Sequence, residues 1–356
     1  MNPEWRRQKY RAFDLFQNST ARRVVRFDLW GQPVTVYANA NFSIYSAQPC
    51  NAACRFCVEE LRPASRGALL KSQRQIERDD ATYFAALEKS LDAVRPLSPT
   101  ISITGGEPSK DRRLPDLLKI VSRYWGPRKT LTTNGSGLRD PGVIDSVCEA
   151  GLDHLNISVA HPDRERNIGL MRLPLALTVP QLAEVVRLAQ AAGTRVRLSC
   201  VLLREAVHSL ETVSEYLAFA RSVGVTNVIF RQLMRTDPLT HLDNPVISYS
   251  NLQRVKVEPI LELISNHPQF TFVRQILGYY YYVEVWRYDG MDVVFEEADL
   301  AQIEAVKRRD PLTIHELIFH PNARLASTWQ PWDGVLGPPA NGAPYHAAAQ
   351  QGQQPA

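Results

Sequence analysis

The chain has 356 residues, 44% of them apolar and 22% charged, with a formal net charge of +4. This is enough for one large globular domain or one and a half, and five cysteines are too sparse and too odd in number for a disulfide framework. No apolar run approaches the roughly 20 residues that span a bilayer, so no membrane partner is expected.

The basic excess is local. Residues 1–26 hold Arg6, Arg7, Lys9, Arg11, Arg22, Arg23 and Arg26 against Glu4 and Asp14, and the remainder is nearly neutral. Residues 1–39 therefore read as a basic, solvated arm and a lead-in strand. Met1–Arg11 lacks the apolar core of a secretory signal, which predicts a reducing, cytoplasmic setting.

From residue 40 to 235, short β-type runs alternate with helical ones. The strands are Phe42–Ala47, Thr100–Thr104, Lys129–Thr133, His154–Val159, Arg195–Leu202 and Asn227–Gln232; the clearest helices are Asp80–Val94, Leu114–Tyr124, Val179–Ala192 and Leu210–Val223. Such alternation predicts parallel βαβ units in an α/β fold. Six units are too few to close an eight-stranded barrel, so an open, partial (β/α)6 TIM-type barrel is expected. Along His154–Val159, Leu155, Ile157 and Val159 fall on one face and His154, Asn156 and Ser158 on the other. Arg195–Val201 splits the same way. The apolar set must meet the helices, which leaves the polar set facing a lumen. Working residues of parallel barrels lie at strand C-termini.

Residues 236–333 predict a small α+β substrate cap, with a helix at Asn251–Ser265 and strands at Thr271–Leu277, Tyr279–Arg287 and Met291–Glu296. Asp289-Gly290 marks a hairpin turn. Tyr279–Tyr282 packs the sheet on the barrel or walls a planar substrate, and Ile314–His320 would close the small sheet. Residues 334–356 carry no Asp, Glu, Lys or Arg and read as a disordered tail.

The chemistry concentrates in Pro49-Cys50-Asn51-Ala52-Ala53-Cys54-Arg55-Phe56-Cys57, a C-x3-C-x2-C loop after the first strand. It offers three thiolates to one inorganic centre, whereas a four-iron cluster ordinarily takes four; three leave one iron open to a small molecule. Zinc would need a distant fourth ligand, from Cys148, Cys200 or a histidine, and a redox pair of Cys54 and Cys57 would leave Cys50 surplus. Cys148 and Cys200 read as buried small hydrophobes, so a single cluster is expected. About fifty residues on, the second strand ends in Thr104-Gly105-Gly106-Glu107-Pro108.

Together the two motifs resemble the signature of the radical S-adenosylmethionine (radical SAM) superfamily. The likeness covers residues 40–235 and is strongest to single-cluster members with a short C-terminal cap, such as nucleotide enzymes and those of nucleoside-antibiotic pathways; a separate, fainter likeness to the tunicamycin-pathway enzyme is confined to Ala38–Gly67. The resemblance implies a [4Fe–4S] cluster on Cys50, Cys54 and Cys57 whose open iron chelates SAM. It also implies reductive cleavage of SAM to methionine and a 5'-deoxyadenosyl radical, with electrons from a flavodoxin or ferredoxin. By motif match, Gly105, Gly106 and Glu107 would contact the SAM amino group. Asn134, Ser158 and Ser199 would reach its ribose or carboxylate, or else serve as turn and cap residues.

Arg62, Arg66, Lys110 and Arg231 flank the expected rim. Two or more pointing inward would favour an anionic substrate. The resulting expectation is a small polar metabolite, nucleotide-linked in one reading, in specialised-metabolite or cofactor biosynthesis. Modification of a peptide or RNA is an alternative, though nucleic acid lacks clustered cations to bind it; a non-catalytic zinc-binding scaffold is another.

Overall fold

The computed structural model describes residues 23–57, 76–124, 126–235 and 244–337. The arm up to residue 22, Arg62, Arg66 and the tail beyond residue 337 lie outside the described residues.

A hairpin of β1 (Val24–Leu29) and β2 (Gln32–Tyr37) leads in. It is followed by β3 (Phe42–Tyr45), α1 (Asp80–Ala93), β4 (Ile101–Thr104), α2 (Leu114–Arg123), β5 (Lys129–Thr133), α3 (Pro141–Glu149) and β6 (His154–Ser158). After α4 (Arg164–Met171) and α5 (Val179–Ala191) come β7 (Arg195–Leu202), α6 (Leu210–Ser222) and β8 (Asn227–Gln232). Several helices begin where the sequence supplies a cap. Asp79, Asp140 and Asp163 each accept a first-turn N–H, and Thr178 and Ser209 do so in reciprocal capping boxes.

Strands β3 to β8 pair in sequence order, all parallel. Their helix-side residues form the core: Leu155, Ile157, Leu198, Val228 and Phe230 are at most 1% exposed, and burial of each contributes about 1.5–3 kcal/mol. Phe230 meets Tyr216 of α6 edge-on, which fixes the side the helices cover. The opposite face carries Thr132, Asn156, Arg197, Ser199 and Arg231, as the strand registers require.

The remaining elements are α7 (Pro245–Gln253), α8 (Val257–Ser265), β9 (Phe270–Leu277), β10 (Tyr281–Tyr288), β11 (Met291–Ala298), α9 (Leu300–Arg309), β12 (Thr313–Ile314), β13 (Leu317–Phe319), β14 (Leu325–Ala326) and β15 (Val335–Leu336). Here the structure departs from expectation. The C-terminal strands extend the central sheet instead of forming one of their own: β11 lies parallel to β8, with β10 and β9 antiparallel beyond it. The buried Leu317–Phe319 run pairs in parallel with β3 at the other end, and β12 with β2. The twelve-stranded sheet thus runs from β15 to β9, mostly parallel in its centre, and no closed barrel is seen.

One expected helix, Asn251–Ser265, is two. Arg254 leaves the helical conformation and donates from Nε to Leu233 O (3.0 Å) and from Nη2 to Met234 O (2.7 Å), docking the break on the end of β8. The Asp289-Gly290 turn is as expected, both residues having positive φ. Val335–Leu336, expected in the tail, instead pair with β14, helped by Ser327 N donating to Gly334 O at 2.8 Å.

Candidate active site

The cysteine loop is held from both ends. At its start, Asp111 Oδ2 accepts Ser46 Oγ at 2.7 Å and Ala47 N at 2.9 Å. Further along, Met171 O at the end of α4 accepts Ala53 N (3.2 Å) and the Cys54 thiol (3.3 Å). Phe56 packs beside Leu170 into two small apolar clusters, and the Arg55 guanidinium lies 4.4 Å from the ring centre of Tyr249 on α7. Cys57 N donates to Cys54 O at 3.2 Å, closing a turn that brings two of the thiols together.

Cys50 is exposed, and Cys54 and Cys57 are half-buried. The Cys54 thiol is pushed up to about 12, by burial first and then by Cys57 and Cys50 beside it. Among the described residues no three His, Cys, Asp or Glu side chains converge on one ion position. Cys200 is fully buried in β7 as expected, whereas Cys148 is only half-buried in α3, packed against the core.

Gly105 and Gly106 have φ of +80° and +48°. A Cβ on Gly105 would stand 2.5 Å from the Tyr45 ring, and one on Gly106 1.9 Å from Gln48 O. The glycines thus let the β4 loop lie directly against the cysteine loop. Glu107 N donates to Gln48 O at 3.1 Å. The Glu107 side chain, 1% exposed, accepts from Ser109 N (2.9 Å), Ser109 Oγ (2.6 Å), Thr133 Oγ1 and Asn134 N (2.7 Å). Both carboxylate oxygens are thereby engaged within the chain.

Asn134 completes the junction. Its Nδ2 donates to Asn51 Oδ1 at 2.9 Å and approaches Cys50 Sγ at 3.8 Å, while its Oδ1 accepts Ser136 N at 2.9 Å. Ser158 ends β6 and lines a small open cleft with Asn134 and His161. Ser199 is its register partner on β7. The structure thus brings Cys50, Gly106, Glu107 and Asn134 into one contact network, with Ser158 beside it. Ser199 lies one strand further and meets Arg231 Nη1 at 3.4 Å. Lys110 is exposed. Arg55, Asp111, Arg197 and Tyr249 were not singled out from the sequence. Only Arg197 carried a signal there, its place on the polar face of an alternating strand.

The sequence profile described as the Radical SAM superfamily matches residues 44–221, half of the chain. The chain belongs to the radical SAM superfamily. Enzymes of this superfamily use a [4Fe–4S] cluster and S-adenosylmethionine. Similar curated radical SAM proteins include a GTP 3',8-cyclase of Chlorobaculum tepidum, 27% identical over 52% of this chain and 50% of its own. A GTP 3',8-cyclase of Stenotrophomonas maltophilia is 30% identical over 53% of each. An S-adenosylmethionine-dependent nucleotide dehydratase of Lacinutrix mariniflava is 28% identical over 45% of this chain and 31% of its own. The chain spans about half the length of the cyclases it matches. Among solved structures, Streptococcus suis SuiB bound to S-adenosylmethionine superposes with a TM-score of 0.53 at 14% identity, over 83% of this chain and 61% of that one, a likeness of fold.

The residues present fit the superfamily's cofactors. The loop supplies three thiols, a soft donor set, from one short segment, Cys50, Cys54 and Cys57. Three thiolates suit a cluster that keeps one iron open. Among the described residues no helix is long and apolar enough to cross a membrane.

Proposed function

We propose that Cys50, Cys54 and Cys57 hold the single [4Fe–4S] cluster of a radical SAM enzyme acting on a small, polar, nucleotide-linked metabolite. When bound, the reduced cluster and SAM supply hydrogen-atom abstraction, which is chemistry of the cofactors; the chain supplies position and shielding. Asn134 and Asn51 fix the exposed end of the cysteine loop. Glu107 fixes the Gly105–Gly106 bend without spending its carboxylate on a ligand. Phe56, Leu170 and Met171 shield the inner side of the loop from water. Backbone groups of the bend are then available to the amino group of SAM, with Ser158 nearer its ribose.

The six parallel strands β3 to β8 are read as a partial barrel over residues 40–235, their polar face lining the lumen and the chain from 236 to 333 flanking it. A separate flavodoxin or ferredoxin supplies electrons, Cys148 on α3 and Cys200 on β7 being read as packing residues rather than ligands of a second cluster. The observation that carries the reading is the direct contact of the cysteine loop with the Gly-Gly-Glu bend, through Gln48 and Asn134. The nucleotide class is supported by the names of the cyclase and dehydratase relatives.

The test is anaerobic. Protein reconstituted with iron and sulfide is given dithionite and SAM, and 5'-deoxyadenosine is followed by mass spectrometry. Wild type should form it and Cys57→Ala should not; equal formation by both would refute the assignment.

A further inference from the structure

The polar face of the sheet carries more positive charge than its own carboxylates balance. Arg197 on β7 donates from Nε to Asn227 Oδ1 at 2.6 Å, and its Nη2 lies 3.4 Å from His154 Nε2. Both partners are neutral: His154 is driven down to about 4 by its burial and by Arg197, Arg195 and Arg128. Arg231 on β8 meets Glu296 Oε1 at 3.0 Å and donates to Ser199 Oγ at 3.4 Å. Ser199 follows Arg197 by two residues, so Arg197 and the hydroxyl that Arg231 meets leave β7 on the same face. Glu296 pairs with Arg231 and acts on Arg197 only from further away, while Asp292 is taken by Arg287 at 2.9 Å.

We propose that Arg197 and Arg231 form an oxyanion subsite for the substrate, taking a phosphate group between β7 and β8. The proposal rests on the function proposed above and names the part of the substrate that the lumen reads. A guanidinium enclosed among neutral partners is costly until an anion joins it, and two planar forks suit the oxygens of a phosphate. Burial, and then repulsion from Arg231, push Arg197 down to about 10, with Glu296 opposing; an anion between the two cations relieves that repulsion.

A second observation concerns what the phosphate is attached to. Asn156 stands directly across from Arg197 in the β6–β7 register. It is 9% exposed, and its Oδ1 has no hydrogen-bond partner while its Nδ2 donates to Thr132 Oγ1 at 3.3 Å. A buried carbonyl oxygen in that position calls for a hydroxyl or N–H donor. An anion beside a donor group is the pattern of a phosphorylated sugar, which is the chemical class the face fits.

Binding of inorganic pyrophosphate, and separately of SAM, is measured calorimetrically on the reconstituted full chain. The proteins compared are wild type, Arg197→Gln, Arg231→Gln and Arg187→Gln, the last removing a surface ion pair with Glu184. Loss of a charged hydrogen bond predicts pyrophosphate binding weaker by about 10-fold or more in Arg197→Gln and Arg231→Gln. Arg187→Gln should match wild type, and SAM affinity should hold within about 3-fold throughout. Arg197→Lys, which keeps the charge and loses the fork, should fall between; it replaces Arg197→Gln if that variant does not fold. Wild type failing to bind pyrophosphate, or equal binding by all variants, would overturn the subsite. So would a selective loss of SAM affinity, which would give the two cations to the carboxylate of SAM. Iron and sulfide content of the same samples reads the cluster assignment independently: pyrophosphate binding that depends on Arg197 in protein that loads no cluster would fail the function and leave the subsite standing.

Discussion

The Glu107 carboxylate accepts the backbone N–H of Asn134 at 2.7 Å, joining the loop after β4 to the loop after β5 beneath the cysteine loop. Asn134 passes the constraint on, through Asn51 and Cys50. A glutamate that sequence resemblance would place on a ligand is, in the fold, the keystone of the loops around it.

Substitution of Glu107 should therefore act on stability first. Glu107→Gln turns an amide N–H toward groups that are themselves donors, and Glu107→Ala leaves those donors unsatisfied. A cost of about 2–4 kcal/mol is expected for either, because buried charged hydrogen bonds are broken one-sidedly. Urea unfolding should show a clearly lower midpoint; a midpoint like wild type would mean the carboxylate is free for another role.

Gly106→Ala should disturb the cysteine loop itself. Its Cβ would overlap Gln48 O, and its φ is already positive. Gly193 also has positive φ but open space around it, so Gly193→Ala should cost only about 1 kcal/mol of backbone strain. The expected contrast is iron loading, lost in Gly106→Ala and kept in Gly193→Ala.

Much of this was legible in the sequence, and for identifiable reasons. The strands Lys129–Thr133 and Arg195–Leu202 come out with the bounds read from the sequence, since short β-type runs between helical ones stand out locally. Both chemical motifs sit at strand ends as parallel topology requires. What escaped was long-range. Leu317–Phe319 is a short apolar run with nothing local to say that it pairs with β3, some 270 residues earlier. The break at Arg254 depends on carbonyls of β8, and the Arg55–Tyr249 contact joins segments almost 200 residues apart. The Gly105–Gly106 pair was noticed for a ligand's approach, whereas the first atoms its missing Cβ positions meet belong to Tyr45 and Gln48.

Arg55 and Tyr249 should be energetically coupled. Tyr249 Oη also donates to Glu205 Oε1, so Tyr249→Phe separates the hydroxyl from the ring. A double-mutant cycle of Arg55→Ala with Tyr249→Leu should return about 0.5–1 kcal/mol of coupling in unfolding free energy. In the cycle with Tyr249→Phe, most of that coupling should remain unbroken, since the ring stays under the guanidinium.

His154 gives the fold an acid-side weakness. Its value is lowered from 6.5 to about 4 by burial, then by Arg197, Arg195 and Arg128. The unfolded chain takes up this proton first as pH falls, so the contribution is complete above about pH 6.5 and is lost toward pH 4. It amounts to at most about 3 kcal/mol. His154→Gln should flatten that part of the stability–pH curve; an unchanged slope would place the titration elsewhere.

The most direct test of the central claim is elemental. Anaerobically reconstituted wild-type protein should carry about four irons and four sulfides per chain, and a Cys50→Ala, Cys54→Ala, Cys57→Ala triple variant should carry neither. Zinc without sulfide in the wild type, or iron and sulfide retained by the triple variant, would contradict it.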